Sequence, residues 1–520
     1  MSKLTELFRA YPNRFFCVVG IVYSLIWFLL PFLTLANVRP DTIEQFFVGK
    51  EWVIGTTKSA TLPAWMLEIA LTLTGGAAWS TYLVSSLAIF VMLCCIWKLS
   101  REFLPPHLAL LAVLAACNFR YLNIGAIYFH QNESVLSFCA LTVLCFYYAI
   151  KTGKRRYWIL LGITIGLGML CFYLMGMLAF TIFLFVVGFK ETRKYWWKLG
   201  ITIIVSFLIF TPHLLWNINH GFPGIIRAAT FSDSENPQWY FHIRNPFFFI
   251  VSQFALLAPM LISICPAIGL RKLSVISNNT LPDILAKWFL PFIVFVPILL
   301  ILVYLICTGN GVRSRFGAPF WLFFPLFMLY CFHLSPDTKK LKQAFCYTFV
   351  VMFATMAIFV GYWIIEPLVG DKPNDTLFPG RALATEVERI WHEKYSTPIP
   401  YAAGEWMLSG NLALYGKDRP TVLAYDGNAS FAANEESLIL LCITKEDLYK
   451  KGAVILWQIR DENNPIHPKL ETDYPNAKPL DIVITVPYLS TIRKFPPLKV
   501  GMAIIPPPEL SDEGKYTEHD

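Results

Sequence analysis

Between Phe15 and Ile365 the chain alternates apolar runs of roughly 15 to 25 residues with short polar stretches, the length scale of helices that cross a bilayer. The pattern predicts spans over Phe15–Ala36, Ser80–Trp97, Val135–Ile150, Leu199–Leu215, Pro246–Ile268, Phe289–Cys307, Phe320–Phe332 and Ala344–Ile365. A further run begins at His107 and is interrupted by Asn118-Phe119-Arg120, which predicts a short or broken helix lining a cavity. Tyr157–Gly188 lies between two basic clusters, Lys151 to Arg156 and Lys190 to Lys198, so it must cross twice, as two short spans turning near Phe172-Tyr173. That makes about eleven spans. Leu62–Leu73 has the pattern of an amphipathic helix lying in the interface.

Past residue 365 the pattern changes. Pro, Asp, Glu and Lys are spread throughout, and short apolar runs at Leu438–Cys442, Ala453–Gln458, Ile482–Val486 and Val500–Ile505 predict strands, with a helix over Lys445–Lys451. The expected organisation is a membrane domain over 1-365, with a first outer loop over 37-79, and a soluble α/β domain over 366-520. Lys3, Arg9 and Arg14 precede the first span, which is too long for a signal-peptide core and is expected to be retained. With the N-terminus inside, the first loop and the C-terminal domain are expected to face the periplasm.

Composition agrees with this reading: 56% of residues are apolar, 16% aromatic and 15% charged. The net charge of +8 does not point to nucleic acid, because the Lys and Arg residues cluster between apolar runs where the positive-inside rule places them. The 12 cysteines show no CxxC or zinc spacing and no disulfide framework.

Candidate chemistry gathers on the predicted outer loops. Asp41 and Glu44 share a helical face at their spacing, where they could orient a nucleophile or a sugar hydroxyl; the alternative is that Asp41 caps a short helix with Glu44 as its capping-box partner. Arg313 and Arg315 break the positive-inside rule beside two spans. Guanidinium forks bind phosphate bidentately, and a phosphate at a membrane surface belongs to a lipid; the alternative is snorkelling toward headgroups. His213 and His220, with Asp233 and Glu235 beyond them, read either as a metal site or as ordinary interfacial histidines, and their spacing matches no strong ligand motif. Asn132-Glu133 is placed to cap a helix with an acid matched to its dipole. No Walker loop, GxGxxG fingerprint or Ser-His-Asp pattern occurs.

These motifs together resemble a known class. The first loop, with Asp41-x-x-Glu44, Gly49-x-Glu51-Trp52, Gly55, Lys58 and Leu62-Pro63-Ala64-Trp65, is similar to that of GT-C class membrane glycosyltransferases. The nearest branch is the bacterial one related to protein O-mannosyltransferases, with the lipid A aminoarabinose transferases and the rhizobial galacturonosyltransferases. The resemblance continues through Thr211-Pro212-His213-Leu214-Leu215-Trp216, His220-Gly221-Phe222-Pro223, Arg313-x-Arg315-Phe316-Gly317-x-Pro319, Gly404-x-Trp406, Asn411-Leu412-Ala413 and Arg419-Pro420. The chain departs from the pattern at Ser59-Ala60-Thr61, where the family has Pro-Pro, and at Cys171-Phe172-Tyr173, where the galacturonosyl branch has Gly-Lys-Tyr.

The resemblance implies a GT-C fold and inverting transfer of a sugar from a polyprenyl-phosphate donor to a periplasmic acceptor, lipid A or lipopolysaccharide core. It implies Asp41 and Glu44 at the reaction centre, Arg313, Arg315 and Lys58 at the donor phosphate, and Asn132, Glu133, His213 and His220 as substrate contacts. No cofactor is implied, and a divalent metal is left open. The competing expectations are a transporter or flippase of an amphipathic lipid, a protein O-glycosyltransferase, and a catalytically inactive relative that binds or assembles.

Overall fold

The computed structural model describes residues 10–56, 61–127, 129–224, 226, 238–268, 283–332, 338–423, 443, 445–461 and 463–507. Lys58, Ser59, Ala60, Asp233, Glu235 and the expected strand Leu438–Cys442 lie outside them. The chain forms two units, one of residues 1–31, 54–63 and 82–361, the other of 32–53, 64–81 and 362–520.

Among the described residues seven helices are long and apolar enough to cross a membrane: α1 (Pro12–Thr34), α4 (Ser80–Phe103), α6 (Gln131–Thr152), α9 (Trp196–Asn219), α10 (Phe241–Ile264), α11 (Leu290–Thr308) and α13 (Thr338–Val369). Each coincides with a predicted span. Shorter helices stand at α5 (Pro106–Cys117), α7 (Arg155–Met169) and α8 (Met175–Gly188), and the break between α7 and α8 falls at the expected turn. The predicted span Phe320–Phe332 differs. Its first residues close a 3-10 helix, Ser314–Trp321, and only the eight residues of α12 (Phe324–Cys331) are α-helical.

In the first unit α7 and α9 approach closely because Gly162 and Gly166 carry no side chains. A Cβ on Gly162 would stand 2.8 Å from Thr202 O, and one on Gly166 2.8 Å from Ile209 Cβ, the small-residue packing that lets helices meet without a hydrophobic driving force. Thr202 then donates to Trp158 O at 2.8 Å. Helix α5 ends where expected, at Asn118, whose buried amide donates to Ser263 Oγ at 2.6 Å and Thr348 O at 3.1 Å. Tyr23 donates to Cys117 O at 2.7 Å, satisfying a carbonyl freed by the helix end.

The second unit joins part of the first loop to the C-terminal α/β region. From the loop come α2 (Pro40–Lys50) and α3 (Leu62–Leu73), of which the first two residues belong to the other unit; the C-terminal region adds α14 (Gly380–His392), β1 (Tyr401–Gly404), α15 (Trp406–Tyr415), β2 (Thr421–Val422), α16 (Lys445–Lys451), β3 (Ala453–Gln458), α17 (Leu470–Asp473), β4 (Lys478–Val486) and β5 (Leu498–Ile505). The sheet order is β2-β1-β3-β5-β4, parallel across the first three strands and antiparallel at β5 and β4. Leu383, Val387, Ile390 and Trp391 of α14 and Leu408 and Leu412 of α15 pack with Ala402, Val454 and Leu456 in one core.

Gly404 ends β1 at φ +92°, where a Cβ would stand 2.1 Å from Leu456 O. Gly404→Ala is therefore expected to weaken this sheet by about 1–3 kcal/mol. Amide exchange of β1 and β3 in the full chain checks this; unchanged protection contradicts it.

Candidate functional site

Helix α2 begins at Pro40, a residue preorganised for the first helical position, with Arg39 as its N-cap. Asp41 is thus inside the first turn, which rules out the capping-box reading of Asp41 with Glu44. Asp41 is exposed and Glu44 half-buried, while Thr42, Ile43, Phe46, Phe47 and Val48 are buried. The helix turns its apolar side into the second unit and leaves the first carboxylate toward solvent, at the end where its dipole favours negative charge.

The C-terminal end of α2 is held by charge. Lys50 donates to Arg419 O and lies 3.7 Å from Glu51; burial lowers its pKa from the ordinary lysine value, and Glu51 opposes that shift. Gly49 lies flush on α3, since a Cβ there would stand 2.3 Å from Ala64 O.

Arg313 and Arg315 are in the first unit. Arg313 is the exposed N-cap of the 3-10 helix Ser314–Trp321 and Arg315, half-buried, lies within it. Eight residues are a long run for this tighter helix, and tertiary bonds hold it. Gln253 of α10 donates to Ser314 O at 3.1 Å and accepts from Trp321 Nε1 at 2.9 Å. Gly317 leaves room for it, as a Cβ would stand 2.1 Å from Gln253 Oε1. Burial raises the pKa of the Tyr121 phenol, while Arg120 and Arg315 lower it, which sets these three groups in one electrostatic neighbourhood. Sequence reasoning missed Gln253, Tyr121 and the role of Gly317.

Asn132 and Glu133 open α6, but the N-cap is His130, so neither serves as the cap. Glu133 instead lies against Nδ1 of His130, both side chains buried, and Asn132 reaches the other ring nitrogen at 3.3 Å. His130 was also missed, although its spacing to Glu133 places both on one helical face.

His213 is fully buried and spoken for by the protein. Nδ1 lies 2.8 Å from Ile54 O, which can only accept, so Nδ1 carries the proton. Nε2 then accepts from Tyr173 Oη at 2.7 Å and Asn217 Nδ2 at 2.9 Å. His220 bonds Trp216 O at 2.8 Å through Nδ1 and stacks on the Trp216 ring. Both nitrogens of His213 are committed, which does not fit a metal held between these histidines. Among the described residues no group of three His, Cys, Asp or Glu is placed to hold a metal ion.

Asp41 and Glu44 thus belong to one unit and Arg313, Arg315, Asn132, Glu133, His213 and His220 to the other.

Residues 58–216 match the family model described as Dolichyl-phosphate-mannose-protein mannosyltransferase. The structure is similar to that of ArnT from Cupriavidus metallidurans bound to undecaprenyl phosphate, at 12% identity and a TM-score of 0.60 over 94% of this chain and 98% of that one. The same protein in the apo state gives 11% identity and a TM-score of 0.59 over 94% and 97%. No curated protein matches the sequence significantly. Residues 58–216 thus resemble the dolichyl-phosphate-mannose-protein mannosyltransferase family, and the chain is a polytopic helical membrane protein with an ArnT-like fold.

Proposed function

We propose that this chain transfers a sugar from a polyprenyl-phosphate carrier to lipid A or lipopolysaccharide core on the periplasmic face of the bacterial inner membrane, with inversion. The observation that carries the reading is the arginine-bearing 3-10 helix locked by Gln253, in a fold whose ArnT counterpart holds undecaprenyl phosphate. In the reaction the acceptor oxygen bonds to the anomeric carbon as the bond from that carbon to the phosphate oxygen breaks. The phosphate leaves with the electron pair, and Arg315 and Arg313, with Lys58, meet its charge. Asp41, supported by Glu44, aligns the acceptor. A hydroxyl acceptor passes its proton to Asp41, whereas a lipid A phosphate is already deprotonated and Asp41 then only orients it. Asn132, Glu133 and His220 are assigned to the walls around the substrates, and His213 to holding Ile54.

The family's description favours a second acceptor, a protein hydroxyl, and transport of the lipid without transfer is a third outcome. Purified protein in lipid nanodiscs, supplied with undecaprenyl-phosphate sugars, is expected to add one sugar mass to lipid A and to use no nucleotide sugar. Transfer from a nucleotide sugar alone overturns the donor. Movement of the lipid-linked sugar across the bilayer without any transfer overturns the reaction.

A further inference from the structure

Arg419 has no part in the reaction as proposed, yet its guanidinium makes a bidentate polar contact within the second unit. Nη1 donates to Glu68 Oε1 at 2.9 Å and Nη2 to Glu68 Oε2 at 2.8 Å, a bidentate fork across 351 residues of chain onto α3. Glu68 is buried and Arg419 is about one-quarter exposed, so little water competes for the pair. The same residue accepts from Lys50 through its backbone carbonyl and sits at φ +47°, a conformation that a non-glycine side chain holds only when its surroundings demand it.

The opposite end of α2 is fixed to the same stretch of chain. Asn37 donates to Asn411 Oδ1 at 2.9 Å and to Phe378 O at 3.1 Å, and accepts from the Tyr415 hydroxyl. Between these ends Gly410 of α15 lies against Ile43 and Phe47, where its Cβ would stand 2.9 Å from Ile43 Cγ2. An eleven-residue helix is thereby gripped at its start, its middle and its end by residues 378–419. Asp41, in the first turn of this helix, is exposed.

We propose that Arg419 is a positioning residue of the transferase: through Glu68 and Lys50 it seats the helices α2 and α3 on the C-terminal α/β region, and so fixes Asp41. The proposal rests on the assignment of Asp41 to the acceptor. Displacement of a catalytic group by about 1 Å can cost on the order of 10²-fold in rate, so a seat of this kind acts on turnover without touching substrate. The C-terminal region is then a working part of the transferase.

The test uses the full chain in nanodiscs with an undecaprenyl-phosphate sugar donor. Arg419→Lys and Glu68→Gln each remove the fork, since a point charge or an amide cannot reproduce it. Glu68→Arg/Arg419→Glu reverses the charges and restores a pair. Each single variant is expected to lower kcat by about tenfold or more with little change in KM for the donor. Amide exchange over residues 40–50 should speed up by about tenfold while β1, β3 and β5 stay protected. The reversed pair should recover both to within about threefold.

Unchanged protection over 40–50 in both single variants overturns the seating. So does a loss of protection spread over the whole sheet that the reversed pair does not repair, because that is general destabilisation. Faster exchange over 40–50 with kcat intact, where Asp41→Asn is inactive, overturns the positioning role. Asp41→Asn leaves the Arg419 pair untouched; full activity there overturns the assignment of Asp41 instead, and the exchange data still decide the seating.

Discussion

Asp41→Asn is expected to lower sugar transfer by on the order of 10²-fold or more, the contribution typical of a positioned acid-base group. The substitution keeps the shape and hydrogen-bonding capacity of the side chain and removes its charge. Stability should hardly change. Asp41 is exposed in the first turn of α2, and the helix is secured by Ile43, Phe46, Phe47 and Val48 together with the bonds at its two ends. The interaction of an acid with a helix N-terminus contributes about 0.3–1 kcal/mol to folding. Initial rates at matched protein abundance, with an undecaprenyl-phosphate sugar and lipid A, measure the effect. A hydroxyl acceptor should make the loss largest, because the carboxylate must then take a proton; a phosphate acceptor should leave a milder defect. Near-normal transfer sinks the assignment and moves the search to Glu133 and His130.

The membrane helices were legible in the sequence because one physical demand governs them: a backbone in hydrocarbon must bond internally, and it needs a long apolar run to do so. Phe320–Phe332 satisfied the composition and still differed, since Gln253 draws Ser314–Trp321 into a tighter helix and Pro325 restarts the α-helix. Neither cause is visible in local hydropathy. In the C-terminal region β3, β4 and β5 were legible as apolar runs, but β1 and β2, of four and two residues, are too short for periodicity to reveal. Helix α14 did carry a signal: Leu383, Ala384, Val387, Ile390 and Trp391 repeat at helical spacing and are all buried.

For the site, residue types were easier to recognise than partnerships. The spacing of Asp41 and Glu44 put both on α2, and the charge anomaly of Arg313 and Arg315 drew attention to their loop. The pairing of Glu68 with Arg419 leaves no local pattern, because the partners are 351 residues apart. His213 illustrates the same gap. From sequence it is an interfacial histidine or a ligand, and only its bonds to Ile54, Tyr173 and Asn217 make it a strap on the first loop.

Arg315→Lys is expected to reduce transfer by on the order of 10²-fold, with KM for the lipid-linked donor rising as well, although the substitution conserves charge. Loss of one preorganised donor to a developing anion typically costs 10²–10³-fold in kcat, about 2.7–4 kcal/mol, and an ammonium replaces only part of a guanidinium fork. The argument turns on rigidity. An arginine that merely snorkels needs a flexible stem in contact with headgroups, and lysine serves it equally well. Arg315 instead extends from a 3-10 helix whose Ser314 carbonyl and Trp321 indole are both bonded to Gln253 of α10, and it is half-buried near Tyr121 and Arg120. Arg313→Lys should therefore be the milder change, because Arg313 is exposed at the N-cap and water already screens it. The measurement is kcat and KM for the donor in nanodiscs, beside amide exchange of 314–321 to confirm that the helix is intact. Wild-type kinetics for Arg315→Lys with that helix protected would make Arg315 a headgroup anchor and remove it from the reaction.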